Sequence, residues 1–348
     1  MTHLQFVHCS RTKIILCYRM RMIIIYGGID MKKLNRHMLI CSLLLLVGIM
    51  LAACGSNNEE TNQEETTTAE PTTRIYKDYL GHEVEIPVNP ERVVYHGEGY
   101  GDVLALNIKT VGAGFSWITD YAWEDRVKDV EDVGFPINVE QTLLLKPDLI
   151  IIGTSDDKTY SQLSKIAPTI VFDTFAPLNQ RLTELGNILN KKEEAAQWIA
   201  DYTEKADKMW ESLVADGTVK PDETASVLTY YPGDRLFVMA RAGLSQVLYD
   251  SNVLKPGDKI QKILDDGTGF AEISTELLPE YAGDRIFILT PTNDEAKQST
   301  KEMMESPIWK NLPAVKNGHV YTIDIQKSDS DASTREWLLT ELPNMLKK

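Results

Sequence analysis

Apolar positions across residues 74–348 follow two alternating rhythms. Short β-branched runs recur at Arg92–Tyr95, Thr110–Gly114, Asp148–Gly153 and Thr169–Asp173, and again at Ser226–Tyr231, Leu236–Ala240, Arg285–Thr290 and His319–Asp324. Leu149-Ile150-Ile151-Ile152 is continuously apolar, the signature of a strand covered on both faces. Helix-length segments separate these runs, which predicts an α/β protein. Between the two groups, Asn190 to Ala215 contains no Gly or Pro. There Ala195, Ile199, Tyr202, Ala206, Met209 and Leu213 recur at spacings of 4, 3, 4, 3 and 4. That is one apolar stripe on a 3.6-residue period. At 1.5 Å per residue such a helix runs to roughly 40 Å. It reads as a single stiff connector (190–216) between an amino lobe (74–189) and a carboxyl lobe (217–348).

Ahead of this pattern the rhythm changes. Lys32, Lys33, Arg36 and His37 form a basic head, and Met38 to Leu51 is an apolar run of 14 residues broken only by Ser42 and Gly48. This is the layout of a secretory signal, and the run is shorter than the roughly 20 residues of a membrane span. Its Leu51-Ala52-Ala53-Cys54 ending resembles the lipobox of bacterial lipoproteins. The resemblance implies cleavage after residue 53 and a lipid anchor on Cys54 at the outer face of the cell membrane. Translation is expected to start at Met31, leaving residues 1–30 outside the protein. Gly55 to Thr73, rich in Ser, Asn, Glu and Thr, cannot bury enough apolar surface to fold and reads, with Cys54, as a tether.

Charge and cysteines narrow the function. The chain carries a net charge of −15. Residues 1–53 hold seven basic residues and one acid, so the remainder has 29 basic against 50 acidic residues, a net of −21. That argues against nucleic acid and against electrostatic binding to anionic lipid. The four cysteines are Cys9, Cys17, Cys41 and Cys54, so nothing after Cys54 can form a disulfide or a thiolate metal site.

The two lobes echo each other. Ile137-Asn138-Val139-Glu140 precedes Asp148 and its apolar strand, and Ile273-Ser274-Thr275-Glu276 precedes Asp284 and its strand, 136 residues later. Asn138 and Ser274 suit helix N-caps, and the helix dipole favours the acids that follow. Capping accounts for an acid in each place but not for the match between halves. Two acids at equivalent edges of two lobes suit a symmetric, basic partner.

These stretches, with Pro90-Glu91-Arg92-Val93-Val94, Lys146-Pro147-Asp148-Leu149-Ile150 and Trp309-Lys310-Asn311-Leu312-Pro313, resemble the iron-siderophore and vitamin B12 substrate-binding proteins of ABC importers. The resemblance runs from about Arg74 to Lys348. It implies two Rossmann-like α/β lobes joined by one long α-helix, with the ligand cleft between the lobes. It implies a monomer that delivers a ferric siderophore to a permease dimer and its ATPase subunits, with no intrinsic cofactor and no catalysis. Glu140 and Glu276 match the family's two glutamates that dock into arginine pockets of the permease. Arg241 matches an arginine that contacts the iron-chelating oxygens in hydroxamate binders. Because open α/β sheets place crevices at strand carboxyl ends, His96, Glu98, Trp117, Arg181 and Tyr231 are further cleft candidates. The segment from Ile325 to Thr334 lacks the aromatic that some hydroxamate binders carry, so one pocket wall is expected to be built differently.

Cargo follows from charge. A ferric tris-catecholate is highly anionic and needs clustered Lys or Arg, whereas the expected cleft offers mainly Arg181 and Arg241 against Glu98, Asp156 and Asp157. A neutral or cationic ferric hydroxamate fits better. A bare metal ion, which would need converging ligands from His82, His96 and His319, stays open. So do cobalamin and haem, the last with His96 or Tyr231 as ligand. The rival from another class, an extracellular α/β hydrolase, would show Gly-x-Ser-x-Gly, and the chain has none.

Overall fold

The structure, a computed structural model, describes residues 71–114, 120–153 and 156–347. The signal, Cys54 and Trp117 lie outside them. The first sheet is entirely parallel, in the order β5 (Glu131–Asp132), β4 (Thr110–Ala113), β3 (Val93–His96), β6 (Leu149–Ile152), β7 (Thr169–Val171). Each residue of β6 is fully buried, as its unbroken apolar run requires. Helices α1 (Tyr100–Ala105) and α4 (Leu178–Ile188) cover one face, while α2 (Val139–Leu144) and α3 (Asp157–Leu163) flank the other.

The second sheet is mixed. Its central strands β8 (Thr224–Tyr231), β12 (Arg285–Thr290) and β13 (Val320–Asp324) are parallel. The antiparallel strands β9 (Arg235–Met239) and β11 (Phe270–Ile273) form one edge, and the short β10 (Lys255–Pro256) also pairs with β8. One face packs under α6 (Leu244–Asp250) and α12 (Ala332–Leu346). The other packs under α7 (Asp258–Asp265), α8 (Leu278–Tyr281), α9 (Asp294–Glu305), α10 (Pro307–Lys310) and α11 (Pro313–Lys316).

The connector is α5 (Lys192–Ala215), 24 residues long. Its stripe divides between two cores. Ala195, with Trp198, Ile199 and Tyr202, packs on the first sheet's core, and Met209, Trp210 and Leu213 pack on the second's. The middle of the stripe is only half-buried, because the helix there bridges from one core to the other. The two α/β lobes joined by one long helix are therefore present. All eight expected strands form.

Five strands beyond the eight, β1, β2, β5, β10 and β11, also form among the described residues. A hairpin of β1 (Thr73–Lys77) and β2 (Glu83–Pro87) opens the described chain, so the tether ends inside a strand. The Asp78 carboxylate holds this hairpin to the sheet by accepting from the backbone N–H of Val171 at 2.9 Å and of His82 at 2.8 Å. β5 and β11 complete the sheet edges.

The internal echo has a structural cause as well. Asp148 accepts from the backbone N–H groups of Glu91 and Arg92 at 2.7 and 2.9 Å, fixing the entry to β3. Asp284 accepts from the N–H and hydroxyl of Thr224, both at 2.8 Å, fixing the entry to β8. Each aspartate starts its own strand and anchors the central strand beside it.

Candidate functional site

The order of the first sheet reverses at β3, which has β4 on one side and β6 on the other. A crevice is expected beyond the carboxyl end of such a strand. His96 and Glu98 stand there, followed by α1. The segment between β13 and α12, residues 325–331, crosses from the second sheet to this same place. The N–H of Ala332 donates to Asp102 Oδ1 at 2.7 Å, the Ser333 hydroxyl donates to the Gly101 carbonyl at 2.8 Å, and Trp123 Nε1 donates to Asp331 Oδ2 at 3.1 Å. The approach is close enough to demand glycine at 101, where a Cβ would lie 1.6 Å from the Asp331 carboxylate.

The other end of the crossing segment touches the β9–α6 loop. A Cβ on Gly243 would come within 2.7 Å of the Ser328 carbonyl. Arg335 ties the pieces together, donating to Ser330 O at 2.9 Å, Gln246 Oε1 at 2.9 Å and Asp250 Oδ2 at 2.8 Å. Gln246 in turn donates to the Arg241 carbonyl at 3.2 Å, and the Arg241 N–H donates to Gly269 O at 2.7 Å. A continuous polar seam thus joins Asp102 on one lobe to the Arg241 loop on the other.

Within this frame the sequence candidates separate. Arg241 is exposed, its backbone is pinned from both sides, and its guanidinium has no ion pair among the described residues. Glu98 is exposed, yet neighbouring protein atoms displace enough water to raise its carboxyl above the usual range. His96 is 7% exposed, donates from Nε2 to the Gly134 carbonyl at 3.1 Å and stacks on Phe135 with centroids 5.5 Å apart. Burial lowers its pKa, so it is a neutral imidazole held by its neighbours.

Arg181 corrects the sequence expectation. It is 2% exposed and donates to Asp102 Oδ2 at 2.6 Å, the Ala176 carbonyl at 2.8 Å and the Ser330 carbonyl at 3.1 Å. Burial by itself would favour loss of its proton, but the Asp102 carboxylate outweighs burial and holds the guanidinium charged. With its donors engaged internally, Arg181 serves the seam and is not a cleft donor. His82 pairs with Asp78 and stacks on Tyr160, while His319 meets the Asp284 carbonyl, so each of the three histidines has its own separate partner.

Tyr231 belongs to an aromatic group that sequence reading missed. Its ring meets Phe237 edge-on at 5.9 Å, Phe237 meets Phe270 at 6.1 Å, and the Arg235 guanidinium lies 5.0 Å over Phe237. The signal was the alternation of β9. Leu236 and Val238 are fully buried on one face, leaving Phe237 and Met239 half-buried on the other.

The family model described as periplasmic binding protein matches residues 93–326, which takes in the strands of both large sheets and the connector. The chain belongs to the periplasmic binding protein family. Among relatives of this binding protein, the iron(3+)-hydroxamate-binding protein FhuD of Bacillus subtilis is 34% identical, over 80% of this chain and 88% of its own. The iron(3+)-hydroxamate-binding protein YxeB of the same organism is 30% identical over 84% and 90%. Staphylococcus aureus SirA, crystallised with staphyloferrin B, superposes with a TM-score of 0.69 at 28% identity, covering 79% of this chain and 99% of that one.

The seam of the binding protein is acidic as well as tight. Burial, then repulsion from Glu98 and Asp102, pushes the Asp329 carboxyl up to about 6. Burial, then repulsion from Asp329 and Asp102, pushes Asp331 up to about 7. Both hold protons more tightly folded than unfolded, where a carboxyl titrates near about 3.9. Their contribution to stability is therefore complete below about pH 4 and is lost as the pH rises through about 6 and 7. The urea midpoint is expected to fall across that window, and Asp331→Asn to flatten the fall. An unchanged slope in Asp331→Asn would assign the titration to other groups.

Proposed function

We propose that this chain is the extracytoplasmic, lipid-anchored receptor of an ABC importer, capturing a ferric siderophore of the hydroxamate type and delivering it to the permease dimer. The observation that carries the reading is the kinship with two iron(3+)-hydroxamate-binding proteins over at least four-fifths of the chain. The geometry supports it. In this reading Arg241 donates to the anionic chelating oxygens, where charge-assisted bonds are strongest. Tyr231 and its aromatic neighbours take the apolar linkers of the siderophore, and His96 and Glu98 line the opposite wall; Trp117, outside the described residues, is a further ligand contact in this reading. The carboxylates of the seam disfavour a highly anionic tris-catecholate. The iron is held by the siderophore, so the protein supplies no metal ligands. Glu140 and Glu276 dock to the permease, and Cys54 carries the lipid.

Tryptophan fluorescence of the mature protein tests this against ferric hydroxamates, ferric catecholates, ferric citrate, haem, cobalamin and free metal ions. Saturable quenching by a ferric hydroxamate, with far weaker quenching by the tris-catecholate, is the expected result. Binding of haem, cobalamin or a free metal ion with none of the ferric siderophores would overturn the cargo.

A further inference from the structure

Glu140 and Glu276 are both exposed, and neither carboxylate makes an ion pair or a side-chain hydrogen bond among the described residues. What surrounds them is unusual for an acidic protein. On α2, Glu140, Leu143 and Leu144 sit at i, i+3 and i+4 and so share one helix face. Leu143 is 56% exposed and Leu144 78%, while Thr142, on the opposite side, is fully buried. In the second lobe Leu277 follows Glu276 and is 41% exposed, while Leu278, at the position equivalent to Thr142, is fully buried. Capping needs none of these leucines. Asn138 and Ser274 already bond the helical amides of Gln141 and Glu276.

We infer that each docking carboxylate is set beside an apolar leucine rim, and that the ABC permease dimer is the occupant of both rims. The inference rests on the docking reading above. An unpartnered carboxylate in an apolar rim is complementary to a basic group bedded in apolar surface. The rim excludes water from the pair when the two proteins meet, which strengthens the charge interaction. The placement of one such unit on each lobe suits a partner with two equivalent subunits. Anionic lipid is a poor occupant, because each patch carries an exposed glutamate and the chain carries −15. A second copy of this chain would set like charges against each other across the contact. The rims are unequal, two leucines against one, so the first lobe supplies more of the docking strength.

The test uses the full lipoprotein and its permease–ATPase complex in nanodiscs, measuring docking at low and high salt, with ferrioxamine B quenching as the control for the cleft. Leu143→Ser/Leu144→Ser is expected to weaken docking about 10- to 100-fold and Leu277→Ser about 3- to 10-fold. Both should leave ferrioxamine B binding unchanged. Both should also make docking more sensitive to salt, because the exposed pair is then screened. If Glu140→Gln and Glu276→Gln weaken docking while the leucine variants match the wild type, the rim is wrong and the docking reading stands. If neither the glutamate nor the leucine variants change docking, both fall. Loss of self-association or of binding to empty vesicles in the leucine variants, with docking intact, would assign the patch to another occupant and overturn the inference.

Discussion

Arg181→Ala is expected to cost about 3–5 kcal/mol of stability. Its partner Asp102 is fully buried and receives the guanidinium at 2.6 Å, so removing the arginine leaves a carboxylate without its counter-charge in the interior. The same change withdraws the donor from Ser330 O, one of the bonds holding the crossing segment to the first lobe. A urea denaturation series reads the loss directly. Asp102→Ala/Arg181→Ala should lose less than the sum of the single variants, because the unpaired charge is then gone. A loss under about 1 kcal/mol in Arg181→Ala would mean that water reaches Asp102 and that the seam is looser than its geometry. Siderophore affinity should change little at temperatures where the variant is folded, which separates a seam residue from a cleft donor.

Arg241→Ala should do the reverse. The backbone of residue 241 is pinned by Gly269 and Gln246, and its side chain is exposed, so truncation removes a donor without disturbing a packed core. Hydrogen bonds to charged groups contribute about 1.5–3 kcal/mol, which corresponds to a roughly 10- to 150-fold weaker affinity for a ferric hydroxamate. The urea midpoint should stay within about 0.5 kcal/mol of the wild type. Equal affinity in the wild type and Arg241→Ala would remove this residue from the site. Arg241→Lys keeps the charge and loses the planar fork, so partial recovery would indicate that charge matters more than bidentate geometry.

The contrast between these two arginines marks the limit of what is legible in the chain. Both follow an apolar strand, and by sequence both are cleft candidates. Only the fold brings Asp102 to one of them, across 79 residues of sequence, and leaves the other at the surface. The aromatic group is a similar case. Phe237 lies on a strand whose alternation is readable, but Phe270 lies on β11, which the sequence pattern does not mark, and only the antiparallel pairing of β9 with β11 brings the two rings together. Edge strands such as β5 and β10, each two residues long, lack enough pattern to stand out in sequence.

The α/β class, the eight principal strands, the long connector and the capped turns that carry Glu140 and Glu276 are legible along the chain. Those features follow from local periodicity and from side chains bonding their own neighbours, and both are written in adjacent residues. The seam, the separation of Arg181 from Arg241, the aromatic cluster on the second sheet and the exposure of the leucines beside each glutamate arise only in the folded molecule. These depend on which distant segments meet, and burial is a property of the assembled lobes that no single stretch of chain contains.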